Sequence, residues 1–137
     1  MRFPGRIEKD GKHWLAEIPA FDAITQGRTK REALAMAEDL IETMAGVKGF
    51  RAKVYPGVGD AFEIGGNRLG VLLALLLRRQ RERQGLTLAE AAARLGQRSK
   101  NAYARYEQGR AMPTVEQVER LLEAIAPGHR LVWHIAA

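Results

Sequence analysis

The 137-residue chain can form one domain or two small ones; 46% of its residues are apolar and 28% are charged. It has no cysteine, which excludes disulfides and thiolate metal sites, and its longest apolar run, Val71 to Leu77, is far short of the roughly 20 residues that span a bilayer. The formal charge of +6 sits in one place: between Arg78 and Arg110, nine Lys or Arg face three Glu, and the remainder balances to zero. Such localisation points to a polyanionic partner better than total charge does.

Met1-Arg2-Phe3-Pro4-Gly5 lacks the apolar core of a secretory signal, so a soluble, cytoplasmic protein with no membrane contact is expected. Phe3 to Glu8 reads as a strand, Asp10-Gly11 as a turn, and His13 to Ile18 as a second, alternating strand. A third short strand runs from Ala23 to Gln26. Thr29-Lys30-Arg31-Glu32 then fits a capping box. The helix behind it carries Ala33, Leu34, Ala37, Leu40, Ile41 and Met44 at helical spacing and ends at Gly46. Phe50 to Tyr55 is a fourth strand. The first half is therefore a βββαβ unit, residues 1–58. Gly57, Gly59, Gly65 and Gly66 mark residues 59–68 as a linker, although Ala61 to Ile64 can add a short strand.

Residues 69–137 read as a helical domain with a C-terminal strand, giving an α+β protein. Leu69 to Gln84 is one helix. Thr87-Leu88-Ala89-Glu90 and Thr114-Val115-Glu116-Gln117 are further capping boxes, and Ser99 is an N-cap between them. The tail from Leu131 to Ile135 has strand character and no obvious partner in a helical domain. Leu69, Val71, Leu72, Leu73, Leu75, Leu76 and Leu77 surround most of their helix, and a helix apolar all round must be buried all round. Either the first domain covers the extra face or a second copy does. A homodimer or higher homo-oligomer, through this helix or the tail, is the expectation.

Residues 72–125 resemble the helix-turn-helix domain of phage-repressor-type (Xre/Cro-like) regulators. The resemblance rests on Leu77…Arg81…Gly85-Leu86-Thr87, Ala91-Ala92…Leu95-Gly96 and Tyr106-Glu107-Gln108-Gly109-Arg110…Pro113-Thr114. The turn from Gly96 to Ser99 is one residue longer than is usual. The spacing puts Tyr103 and Tyr106 inward and Lys100, Asn101, Ala104 and Arg105 outward. The resemblance implies that Lys100, Asn101 and Arg105 read base edges of operator double-stranded DNA, while Ser99 and Arg110 hold its backbone. The family's usual Gln after the Thr is here Leu88, so its phosphate contact is lost or passes to Arg98 or Arg94. Arg81 and Glu107 match a salt bridge, read as an exposed pair of about 0–1 kcal/mol that positions the helix.

Residues 3–46 resemble the HicB antitoxin domain. The residues concerned are Ile7-Glu8-Lys9-Asp10-Gly11, Trp14…Ile18-Pro19, Thr25-Gln26-Gly27…Thr29…Glu32-Ala33 and Ala37…Leu40-Ile41. The resemblance implies a truncated ribonuclease H-like fold that binds a small HicA-like RNA-cleaving toxin, in a chain that also represses its own operon. Phe21-Asp22-Ala23-Ile24 departs from the family's turn before Thr-Gln-Gly, and the toxin-binding residues stay unknown. A stand-alone repressor that oligomerises or senses a ligand is the alternative; a degenerate RNA nuclease is a third reading. Glu8 and Asp10 make only a pair, Asp22 and Asp39 join no acidic motif, and His13, His129 and His134 are isolated. No catalytic residue, metal ligand or cofactor is expected.

Overall fold

The computed structural model describes residues 1–136. The sheet is built from β1 (Phe3–Asp10), β2 (His13–Ile18), β3 (Ala23–Gly27), β4 (Ala52–Pro56) and β5 (Ala61–Gly66). All neighbours are antiparallel, in the order β3-β2-β1-β5-β4. The helix α1 (Lys30–Ala45) runs between β3 and β4, which lie at opposite edges of the sheet. Its start is set by Thr29, whose hydroxyl accepts from Glu32 N at 3.1 Å. The Glu32 carboxylate turns back to Arg28 N at 2.9 Å, one residue outside the usual capping box. Ala33, Ala37 and Ile41 of α1 are fully buried with Ile7, Ala16, Ile18, Phe21, Phe62 and Ile64. The Phe3 and Phe21 rings pack at a tilt of 59° with centroids 4.8 Å apart. Elsewhere on the sheet, cross-strand pairs Arg2–Glu63 and Arg6–Glu17 face solvent.

The fourth strand has a protected edge. Glu42 accepts from Ala52 N at 2.9 Å and Glu38 from Val54 N at 2.7 Å. Pro56, next in the alternation, has no N–H to offer. The α1 carboxylates, largely off its apolar face, thus saturate the outward amides of β4.

The glycine-rich segment expected as a linker over 59–68 carries β5, which pairs with both β1 and β4. Its glycines serve packing. A Cβ on Gly66 would stand 2.6 Å from the Phe50 ring and 3.0 Å from Arg51 O. The unit is therefore a βββαββ sheet and helix, one strand longer than the expected βββαβ order.

The second half contains α2 (Leu69–Arg83), α3 (Leu88–Arg94), α4 (Lys100–Glu107) and α5 (Val115–Ile125). The expected C-terminal strand is absent: residues 129–136 have no regular secondary structure. Alternation gave that segment strand character, but no neighbouring strand in the chain supplies the hydrogen bonds a strand requires.

Helix α2 is the centre of the chain. Val71, Leu72, Leu73, Ala74, Leu75, Leu76 and Leu77 are all buried. One side packs on the Pro19–Phe21 turn, α1 and β5; the other packs on α4 and α5. The first half of the same chain therefore covers the extra apolar face, and α2 calls for no second copy. Polar anchors fix the contact. Arg79 Nε donates to Phe21 O at 2.9 Å and its Nη2 to Asp22 O at 3.0 Å. Gln80 Nε2 donates to Ala20 O at 2.8 Å, and Arg78 donates to Met44 O at the end of α1.

Two outcomes follow for stability. Because α2 belongs to both cores, Trp14 fluorescence in a Trp133→Phe background and helical circular dichroism should trace one coincident urea transition, and Leu72→Ala should lower the stability from both probes by about 2–5 kcal/mol. Separate transitions would show two independent halves. Gly27→Ala should cost about 1–3 kcal/mol in the same measurement, since its Cβ would lie 2.4 Å from Ala33 N at the start of α1.

Candidate nucleic-acid interface

The turn between α3 and α4 is set by Leu86–Ser99 chemistry. Thr87 and Glu90 form a reciprocal capping box that starts α3. Ala91 and Ala92, buried and small, let α4 approach closely. Gly96, at φ +71°, reverses the chain, and Gln97 N closes back on Ala92 O at 2.9 Å. Ser99 then caps α4, its Oγ accepting from Asn101 N at 3.2 Å. The serine hydroxyl hydrogen stays available to an acceptor outside the protein.

Helix α4 buries one face and presents the other. Tyr103 and Tyr106 are buried, as their spacing predicts. Ala104 is buried as well, at 4% exposure, and so is not on the outer face where the sequence reading put it. At about 100° per residue it lies about 60° from half-buried Glu107 and about 100° from exposed Arg105. Asn101 and Arg105, one turn apart, are exposed, and exposed Gln108 extends the same stripe. The sequence reading missed Gln108, although its spacing of seven from Asn101 marks it.

Arg98, Ser99, Lys100, Asn101, Arg105 and Arg110 are all exposed. Among the described residues, Arg98, Lys100, Arg105 and Arg110 form no ion pair. The Arg105 guanidinium lies 5.2 Å from the Tyr106 ring centroid, which limits its rotation. The other cations of the basic segment divide differently. Arg78, Arg79 and Arg81 are tied to the protein. Arg94 reaches Ala124 O at 3.4 Å, and Leu88 packs against the core. Of Arg94 and Arg98, the latter, exposed beside the start of α4, is thus the freer.

Arg81 and Glu107 hold α4 in place. Arg81 Nε meets Glu107 Oε1 at 2.6 Å and Nη2 meets Oε2 at 3.0 Å, a two-point pair. Arg81 Nη1 also donates to Leu86 O at 2.6 Å, and Tyr103 Oη donates to Glu107 Oε1 at 2.7 Å. The side chains are only 12% and 6% exposed, so this is a buried pair and not the exposed one expected. Its hydrogen bonds to Glu107 hold the Arg81 guanidinium charged above its ordinary range, against burial. Burial pushes the Tyr103 phenol well above the ordinary tyrosine value, with the Glu107 charge and hydrogen bond adding to it.

Among the described residues no three His, Asp or Glu side chains converge as a metal site requires, and no helix is long and apolar enough to cross a membrane. A helix-turn-helix domain model matches residues 72–128, less than half of the chain. No curated protein matches the chain. The four-helix arrangement and the match agree: this segment is a helix-turn-helix domain, the class that binds specific DNA sequences in transcription regulation.

Removing Glu107 leaves the largely buried Arg81 charge with only the distant carboxylate of Glu82, at 4.0 Å. Glu107→Ala should cost about 3–5 kcal/mol in denaturant unfolding, and Tyr103→Phe, which removes one bond to a charged group, about 1.5–3 kcal/mol. The raised folded-state value of Tyr103 means that its share of stability is complete below pH of about 10, where the unfolded phenol ionises, and is lost as pH rises further. Unfolding measured from pH 9 to 12 should show that alkaline loss in the native chain and a smaller one in Tyr103→Phe.

Proposed function

We propose that the chain is the antitoxin of a type II toxin–antitoxin pair: its first half sequesters a HicA-like RNA-cleaving toxin, and its second half represses the operon. The observation that carries the DNA-binding part is the unpaired cationic stripe of α4, mounted on a helix-turn-helix by a buried ion pair. Asn101 reads adenine, and Lys100 and Arg105 read guanine or adjacent phosphate. Ser99, Arg98 and Arg110 hold the backbone. Binding is as a homodimer on two half-sites roughly 34 Å apart.

The toxin-binding part rests on the motifs of the first half: Ile18-Pro19, Thr25-Gln26-Gly27 and the Thr29-to-Ala33 helix start. They support a truncated ribonuclease H-like unit kept for protein binding, with no enzymatic role and no cofactor. A second reading has one observation in its favour. A cavity of about 150 Å³ lies where α1, α2 and α4 meet, lined by Val47, Arg68, Val71, Arg78 and Gln108 among others. In a stand-alone repressor, a small anion seated there would touch the end of the recognition helix.

Lys100→Ala combined with Arg105→Ala should abolish operator binding in a gel-shift assay, each side chain contributing about 1–3 kcal/mol, and should leave rescue from the co-expressed neighbouring toxin intact. Loss of rescue in a folded variant would overturn the division of labour. The logarithm of operator affinity should also fall steeply with the logarithm of salt concentration, and the slope should be shallower for Arg98→Ala. A slope near zero for the native chain would overturn the phosphate-contact role.

A further inference from the structure

Asn67 ties two segments of the first half together beside the helix-turn-helix. Its Nδ2 donates to Gly49 O at 3.0 Å, its Oδ1 accepts from Arg51 N at 2.9 Å, and its own N donates to Arg51 O at 3.1 Å. The loop that carries Lys48 is thereby fixed against the start of α2. This corner borders the end of α4: Val47, Arg68 and Gly70 line one cavity with Gln108 and Gly109. A Cβ on Gly70 would stand 3.5 Å from Met112 Sδ, so Arg110 is bracketed by residues that border the first turn of α2. Lys48, Arg68 and Arg110 are exposed, and among the described residues none of them forms an ion pair. Residues 43–59, 64–81 and 108–115, the segments that meet here, hold no Asp or Glu. Glu107 borders the cavity, but its carboxylate is held by Arg81 and Tyr103.

We propose that Lys48 and Arg68, in the first half, continue the phosphate contacts of Arg110 and grip the backbone of the same duplex that α4 reads. The inference rests on the DNA-binding reading of α4 and adds a contact from outside the matched helix-turn-helix segment, residues 72–128. Continuity carries it. Gln108 belongs both to the exposed stripe of Asn101 and Arg105 and to the rim of the cavity, so the stripe runs directly into the corner. A duplex lying along the stripe meets these two cations next. Three cations with no carboxylate among them repel one another, and a polyanion relieves that repulsion. A Lys or Arg that neutralises a phosphate releases a condensed counterion whatever the base sequence. The two residues therefore add affinity and orientation without sequence preference. Asn67 and buried α2 hold the backbone that carries them, so the corner is ordered before DNA arrives.

The test uses the full chain and two duplexes of about 30 base pairs, three helical turns, one taken from upstream of its own coding frame and one of scrambled sequence. Lys48→Gln with Arg68→Gln should keep the native thermal melt and weaken binding to both duplexes by the same factor, about 10–100-fold at about 0.1 M salt. The slope of log affinity against log salt should become shallower by about 1.8. Lys48→Gln alone, at an exposed loop position, should account for about half of that change. Lys12→Gln with Arg31→Gln removes the same charge elsewhere: Lys12 follows β1 in its turn to β2, and Arg31 lies about 20 Å along α1 from Ala45. That pair should leave the slope unchanged. An unchanged slope in the Lys48 and Arg68 variant, an equal effect from the Lys12 and Arg31 variant, or a loss confined to the upstream duplex would each overturn the inference and leave the reading of α4 standing. A native chain that bound neither duplex would overturn that reading and the inference with it, so the two failures are distinguishable.

Discussion

The burial of α2 on every side is the constraint from which the rest of the molecule follows. A helix with hydrocarbon around its circumference from Val71 to Leu77 cannot sit on the surface of either half. It is at once the cover of the sheet and the first helix of the DNA-binding unit. The two halves consequently share one core, although the short connection, residues 66–69, is exposed. Arg78, Arg79 and Gln80, at the polar end of this helix, donate to carbonyls of the first half and fix the rotation at which the two units meet. The sheet and α4 therefore belong to one mechanical body.

The arginines of the basic segment divide by what surrounds them. Arg78, Arg79 and Arg81 of α2 are consumed by carbonyls and carboxylates of the protein and shape the interior, while Arg83 at its end is exposed. Those around α4 meet no anion and shape the outer field. A count of charges along the sequence merges the two groups and overstates the charge offered to a ligand. The buried Arg81–Glu107 pair links them: it spends one cation to orient the helix that carries the others. Tyr103 adds its hydroxyl to the same carboxylate, so the aromatic core of the domain and its electrostatic anchor are one cluster.

Much of this was legible in the residues. Every hydroxyl N-cap read from the sequence, at Thr29, Thr87, Ser99 and Thr114, starts a helix, because a cap is a local event between neighbours in the chain. The exposed positions of Lys100, Asn101 and Arg105 were legible from helical spacing. The failures were non-local. β5 hid behind glycines that suggest a flexible link, whereas Gly66 is needed because the Phe50 ring occupies the space of a side chain. Ala104 can face in or out on composition alone, and only the packed neighbours decide. The depth of the Arg81–Glu107 pair depends on residues far from either in sequence. The tail shows the converse error: alternation marks a segment able to pair, and pairing needs a second segment in place.

The carboxylates of Glu38 and Glu42 bear on how the sheet behaves among its own kind. Because they occupy the amides along one margin, strand-by-strand growth has only the β3 side to use. A particle with a single sticky rim can at most find one mate; a fibre needs two. By spending two acidic side chains of a helix on its own neighbour, the chain forgoes open-ended stacking in a crowded cell, and the safeguard lasts as long as α1 stays docked.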